Sequence, residues 1–261
     1  MLSYIGGKSK IGKWIKDYYP TDMETYVETF GGMFWCFFNM DLSKYPNLKQ
    51  VVYNDFNPLN YNLFMCLQNP SVLLNAVNSI PCQERGVENT PSIYKEQFDS
   101  YQKELFATGF TINYPDYNVG AKYAYILTSI FSGSRPETSG FIDLKGKYKS
   151  KFLTFRDKLS KPDWVEHFNK ISHFRLGDFG DVIDEFDSSN HDFDVDDHKR
   201  LADKLTSISG KFSLSYYDFN LLSLWYPKET YKWEMKEFAK AASATKGKTQ
   251  NMGQELLIMN Y

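Results

Sequence analysis

The sequence predicts an α/β fold: a parallel sheet of the nucleotide-binding kind with helices on both faces, interrupted in mid-chain by a mostly helical insertion. Three observations predict it. YVETFGGMFW, residues 26–35, reads as a short apolar strand entering a tight turn at Gly31-Gly32, followed at once by a hydrophobic helix. About 20 residues later a second apolar strand, Val51 to Tyr53, ends in Asp55, the spacing of a nucleotide-binding βαβ unit. From about Asn69 to Trp164 the strand–helix rhythm breaks, and it resumes afterwards.

Glycines at a strand-to-helix turn let a ligand approach the backbone closely. An acid at the end of the second strand can accept hydrogen bonds from ribose hydroxyls. Alone, the glycine pair is more often a plain turn and the Asp a helix cap. Together, at this spacing, they favour a site for an adenosine-containing cofactor. The turn lacks the third glycine of the dinucleotide fingerprint.

The chain opens with Tyr4 and Gly6-Gly7-Lys8, then a helical pattern with Ile11, Trp14 and Ile15 on one face, stopping at Pro20. Backbone N–H groups at Gly7 and the Lys8 ammonium suit a carboxylate or phosphate, although a simple glycine turn with a solvated lysine is the commoner reading of such a segment. The glycine spacing is wrong for a Walker P-loop, which argues against a nucleotide triphosphatase.

With 261 residues and 42% hydrophobic content the chain can bury a sizeable core as one large domain or two small ones. No apolar run is long enough for a membrane span, and the N-terminal residues lack a signal-peptide core. Cys36, Cys66 and Cys82 are odd in number and lack metal-ligand spacing, which indicates buried or free thiols in a reducing compartment. The four histidines are scattered, so no metal is expected. A net charge of −2 argues mildly against a dedicated electrostatic nucleic-acid binder, while leaving room for a local basic patch.

YIGGK (4–8), ETFGGMFW (28–35) and YNDFNPLN (53–60), in this order, resemble the Dam-type (alpha-group) DNA adenine-N6 methyltransferases. RLGDFGDVI (175–183) resembles that family's third cofactor motif, and GQELLIMNY (253–261) its last strand. The resemblance implies a Rossmann-like methyltransferase domain at 1–68 and 165–261, with a target-recognition domain inserted at 69–164. It implies S-adenosyl-L-methionine as cofactor and double-stranded DNA as partner, in the cytoplasm of a bacterial or phage-infected cell. By the same resemblance Tyr4 and Lys8 lie near the methionine part of the cofactor, and Glu28, Phe30 and Gly32 shape the pocket floor. Asp55 holds the ribose, Asp178 and Phe179 flank the adenine, and Gly7, Gly31 and Phe56 complete the set. Thr29 stands where proline is common, and Met33-Phe34 where small residues are common.

In mid-chain, PSVLLNAV, YKEQFDSYQKELF and VGAKYAYILTSIF read as helices by apolar spacing. A segment rich in glycine, hydroxyls and base follows. Its Lys145, Lys147, Lys149, Lys151 and Arg156, with Arg135 upstream, are candidates for DNA phosphate contacts. The alternative is a solvated hairpin edge guarded by lysines.

After HFRLGD and the helix DVIDEF, a doubly wound sheet requires a strand. The sequence instead goes through DSSN into HDFDVDDHKRLADKL, another helical pattern, and only then to the strand KFSLSYYDF. In the family the missing strand ends in the catalytic Asp-Pro-Pro-Tyr, a tetrapeptide absent from these 261 residues. Two accounts follow. Residues are omitted between Asn190 and His191, or the motif is lost and the protein binds cofactor without transferring methyl groups. Loss of a central strand would leave buried backbone groups unpaired at about 1–3 kcal/mol each, which favours omission. The function implied is methyl transfer to a flipped adenine in DNA. The alternatives are a silent methyltransferase-fold protein that binds DNA or a protein partner, and a methyltransferase for RNA or a small molecule.

Overall fold

The structure, a computed structural model, describes residue 8 and residues 11–87, 92–131, 134–187, 197–239 and 252–261. The chain divides into two compact units, residues 1–176 and 177–261.

The first unit contains α1 (Gly12–Ile15), β1 (Thr25–Glu28), α2 (Trp35–Phe38), β2 (Gln50–Asp55) and α3 (Pro58–Cys66). These are followed by α4 (Pro70–Asn78), α5 (Ser92–Leu105), α6 (Tyr117–Thr128), α7 (Lys151–Lys158), α8 (Pro162–Lys170) and β3 (His173–Leu176). Its sheet is parallel, in the order β1-β2-β3. Val51, Val52 and Tyr53 of the middle strand are fully buried, as a parallel strand covered on both faces requires. Asn57 caps α3, its side chain accepting from the Leu59 N–H, and Pro58 occupies the first turn, where its missing donor costs nothing.

The helices of 69–164 do not form a separate body. Phe98 of α5, Tyr125 of α6, and Phe152 and Phe155 of α7 belong to the same hydrophobic cluster as Tyr53, Phe64 and Phe168. Helix α6 is buried nearly all round, from Val119 to Leu127 with only Lys122 half-exposed, because α3, α4, α5 and α7 all pack on it. That packing explains its continuous apolar run, which a surface helix would not carry.

The sequence predicts a hydrophobic helix over MFWCFFNM (33–40) after the glycine turn, but α2 is only four residues. Met40 and Asp41 leave the helix and lead to a short 3-10 turn at Leu42–Lys44, capped by the Asp41 carboxylate at 3.2 Å from the Ser43 N–H. The lysine-bearing segment is a turn followed by α7, so no hairpin edge forms there.

The second unit contains α9 (Phe179–Asp187), α10 (Asp197–Ser207), β4 (Ser213–Tyr216), α11 (Leu222–Trp225), β5 (Lys232–Ala239) and β6 (Met252–Met259). Its sheet is antiparallel, in the order β4-β6-β5. Leu256 to Met259 of the middle strand are buried, in keeping with the last strand expected from GQELLIMNY. β1 and β4 each lie at an edge of their own sheet. The Asn190–His191 junction lies outside the described residues.

Candidate cofactor site

The carboxyl ends of β1 and β2 are stitched together by hydrogen bonds. Gly31 N–H donates to the Asn54 carbonyl at 2.7 Å, and the Asn54 side-chain amide donates to the Thr29 carbonyl at 2.8 Å. Gly31 is required by space, since a Cβ there would lie 2.3 Å from the Tyr53 ring. Gly32 is required by conformation, with φ +48°. Phe34 also holds a left-handed backbone, φ 54°, with its ring fully buried. A large side chain thus adopts a glycine-like conformation where small residues were expected, at a backbone cost of about 1–2 kcal/mol offset by core packing.

Asp55 is the hub of the turn. Its Oδ2 accepts from Gly32 N–H at 2.7 Å, Asn60 Nδ2 at 3.0 Å and the Tyr53 hydroxyl at 3.3 Å. Its Oδ1 accepts from Asn57 N–H at 2.7 Å. Asn60 in turn accepts from the Tyr123 hydroxyl at 2.9 Å, which ties the hub to α6. Tyr53, Asn54 and Asn60 were not singled out in the sequence. The only local signal was polar residues inside an apolar strand and helix, and all three prove buried.

On the β1 side, the Tyr26 hydroxyl donates to Glu28 Oε2 at 2.8 Å and lies 3.3 Å from the Tyr19 hydroxyl. Loss of solvation pushes the Glu28 carboxyl up to about 8. The Tyr26 hydrogen bond, the Phe37 backbone and the Lys8 charge offset part of the rise, and Asp55 adds to it. The folded state therefore holds a proton that the unfolded chain releases above its ordinary value of 4.5. The contribution of Glu28 to stability is complete below about pH 4.5 and is lost as the pH rises toward 8, at no more than about 1.4 kcal/mol per unit. Urea midpoints at pH 5, 6.5 and 8 should fall in that order, and Glu28→Gln should flatten the series. An equal slope in the variant would assign the pH dependence to other groups.

The rings of Phe30 and Phe56, one before the glycine pair and one after Asp55, are 58% and 80% exposed. Asp55 and Phe56 open onto a cleft of about 880 Å³, within the range of small-ligand sites. Lys8 is half-buried, whereas Tyr4 and Gly7 lie outside the described residues. In the first unit Lys8 and Asp55 act on the Glu28 carboxyl and Gly32 bonds Asp55, with Phe30, Gly31 and Phe56 adjacent in sequence, while of these only Asp55 and Phe56 line the cleft.

Asp178 and Phe179 belong to the second unit and have structural partners there. Asp178 accepts from Gly180 N–H at 2.8 Å at the start of α9, and it pairs with Arg200 of α10. The Arg200 guanidinium sits 4.8 Å above the Phe179 ring, and Phe179 packs with Ile183 and Leu201.

The candidate DNA contacts Arg135, Lys145, Lys147, Lys149 and Lys151 are exposed, and Arg156 is half-buried. Lys149 bonds Asp157 at 2.6 Å, a hydrogen bond and charge that lower the Asp157 carboxyl below its ordinary value. Lys158 does not face outward like these. Its ammonium lies 4.3 Å from the Trp164 ring centroid and 5.7 Å from that of Trp35.

Cys36 and Cys66 are buried thiols outside any disulfide, and burial pushes Cys66 up to about 12. Among the described residues no group of three His, Cys, Asp or Glu could hold a metal, and no helix is long and apolar enough to cross a membrane.

Three parallel strands covered by helices define this unit as an α/β protein. Residues 4–185 match the D12 class N6 adenine-specific DNA methyltransferases, and the chain belongs to that family. It is also similar to the type II methyltransferase M2.HphI of Haemophilus parahaemolyticus, 36% identical over 66 residues, 25% of this chain. That match spans only 18% of the relative's length.

Proposed function

We propose that this protein transfers a methyl group from S-adenosyl-L-methionine to the exocyclic amine of adenine in DNA. Family membership over residues 4–185 carries the reading. The reading is supported by the glycine turn bonded to the Asp55 carboxylate and by the exposed Phe56 ring next to it. Asp55 and the Gly31–Gly32 turn would hold the ribose side, Phe56 the adenine, and Lys8 and Glu28 the amino-acid end. When bound, the cofactor supplies an electrophilic methyl group on a sulfonium whose leaving group is neutral.

The adenine amine is a weak nucleophile because its lone pair is delocalised into the ring. A carboxylate and a carbonyl that accept its two protons would activate it, and positioning and electrostatics would supply most of the acceleration. The target base must leave the duplex to reach such a site. None of the described residues is assigned this acceptor role. The absence of the Asp-Pro-Pro-Tyr tetrapeptide from these 261 residues favours one second reading, a protein that binds cofactor and DNA without transfer.

Incubation with duplex DNA and isotopically labelled cofactor, followed by mass spectrometry of the nucleosides, separates the two. Labelled N6-methyladenine supports transfer; cofactor binding in calorimetry with no label in DNA supports the second reading. The intact mass of the purified protein tests omission, since a value clearly above 30.4 kDa shows further residues.

Residues 69–164 act as the target-recognition insertion in this reading, and Arg135, Lys145, Lys147, Lys149, Lys151 and Arg156 contact phosphates. Replacing Lys147, Lys149 and Lys151 by Ala is expected to lower DNA affinity and flatten the salt dependence by about one unit of slope per lost contact. An unchanged slope would reduce the segment to a solvated surface. The place of action that follows is the cytoplasm of a bacterial or phage-infected cell.

A further inference from the structure

The cleft beside Asp55 has two walls. One is the stretch after β2, with Asp55, Phe56 and Pro58. The other comes from the link between α5 and α6, with Phe106, Phe110 and Ile112. That link lies within the segment expected to recognise DNA, yet it faces the carboxyl end of a cofactor strand.

The second wall is held in place. Asp116 and Asn62 of α3 exchange two hydrogen bonds, Asn62 Nδ2 to the Asp116 carbonyl and Asp116 N–H to Asn62 Oδ1, both 2.8 Å. The Asp116 carboxylate caps α6, accepting from Asn118 and Val119 N–H at 3.0 Å each. Tyr114 packs edge-on against Tyr61 of α3, with ring centroids 5.0 Å apart. The far end of the cleft is anchored by Gln102, whose amide donates to the Pro136 and Ser139 carbonyls at 2.7 and 2.9 Å. Such anchoring makes a preformed surface, which lowers the entropy a ligand must pay on binding.

The lining is mainly apolar and aromatic. Its charged members are Asp55 and Glu137, both acidic, with no Lys, Arg or His among the described lining residues. A phosphate would meet like charge there, while a planar, uncharged heteroaromatic ring would meet apolar faces.

We infer that the α5–α6 link completes an adenosine subsite, with the adenine ring of the methyl donor between Phe56 and Phe110, and that this subsite rejects phosphorylated nucleosides. The inference rests on the cofactor reading above and adds the insertion as a determinant of cofactor binding. It makes one segment serve both cofactor and DNA recognition.

Calorimetry on the full chain with S-adenosylhomocysteine, 5′-methylthioadenosine and ADP tests it. The wild type should bind the first two and bind ADP at least tenfold more weakly than 5′-methylthioadenosine. Phe110→Ala should weaken S-adenosylhomocysteine and 5′-methylthioadenosine by the same factor, about tenfold, since both lose only the adenine contact. Should Phe110→Ala fail to fold, Thr111→Trp places bulk in the cleft from an exposed position and should block both ligands while preserving the thermal transition. Wild-type binding of S-adenosylhomocysteine with unchanged affinity in a folded variant, or equal affinity for ADP, overturns the subsite but leaves the cofactor reading intact. No binding of S-adenosylhomocysteine by the wild type overturns both.

Discussion

Replacing Asp55 by alanine is expected to abolish measurable cofactor binding and to destabilise the protein together. Three donors converge on this carboxylate, the Gly32 and Asn57 N–H groups and the Asn60 amide, and the Tyr53 hydroxyl shares its one proton between it and the nearer Gly32 carbonyl. Hydrogen bonds to a charged group contribute about 1.5–3 kcal/mol each, and donors left without an acceptor keep their desolvation cost. Partial rescue by water sets the expected loss at about 3–5 kcal/mol, among the largest for a single substitution. The ribose hydroxyls would lose their acceptor as well. Asp55→Asn separates the effects: it keeps the shape and one acceptor, so stability should recover more than affinity. Calorimetry and urea unfolding read the two quantities independently, and unchanged affinity in Asp55→Ala would remove Asp55 from the ligand site.

Gly31→Ala should be comparably severe without removing any polar group. The added methyl would lie 2.3 and 2.6 Å from two Tyr53 ring carbons and 2.8 Å from the Asn54 carbonyl oxygen. Tyr53 cannot yield easily. Its ring is fully buried, stacked 4.0 Å from Phe64, and its hydroxyl donates to the Gly32 carbonyl at 2.9 Å. Overpacking at such a site costs about 1–3 kcal/mol or more, and relief by splaying β1 from β2 would also break the Gly31–Asn54 hydrogen bond. Gly140→Ala is the matched control, because nothing lies within 4 Å of its added methyl. It should stay within about 0.5 kcal/mol of the wild type in urea unfolding. Equal stability of Gly31→Ala and Gly140→Ala would mean the turn relaxes freely.

Much of the fold was legible in the chain because local chemistry enforces it. Val51-Val52-Tyr53 could only be a buried strand, and Asp55 at its end could only be solvated or bonded. The helices read from apolar spacing at 70–77, 94–106 and 119–131 correspond to α4, α5 and α6. HFRL and SLSY are the strands β3 and β4. The alternating lysines left a solvated hairpin edge as the alternative to phosphate contacts; Ser150 instead caps a helix through its hydroxyl, 3.1 Å from Phe152 N–H, and Phe152 and Phe155 go to the core. Phe34 appeared only as a departure from a small-residue pattern, and its left-handed backbone emerges from the packing of its ring on Tyr53 and Phe64.

The sequence by itself determined the family, the glycine turn, the acid at the strand end and the absence of the Asp-Pro-Pro-Tyr tetrapeptide. Each is a property of a few neighbouring residues. Only the tertiary structure decided that Asp55 is first a structural hub, that Asp178 is claimed by Arg200 from 22 residues away, and that the α5–α6 link walls the cleft beside β2. Those outcomes depend on which distant side chains compete for the same acceptor or the same volume. Such competition follows from close packing in three dimensions and has no period or spacing along the chain.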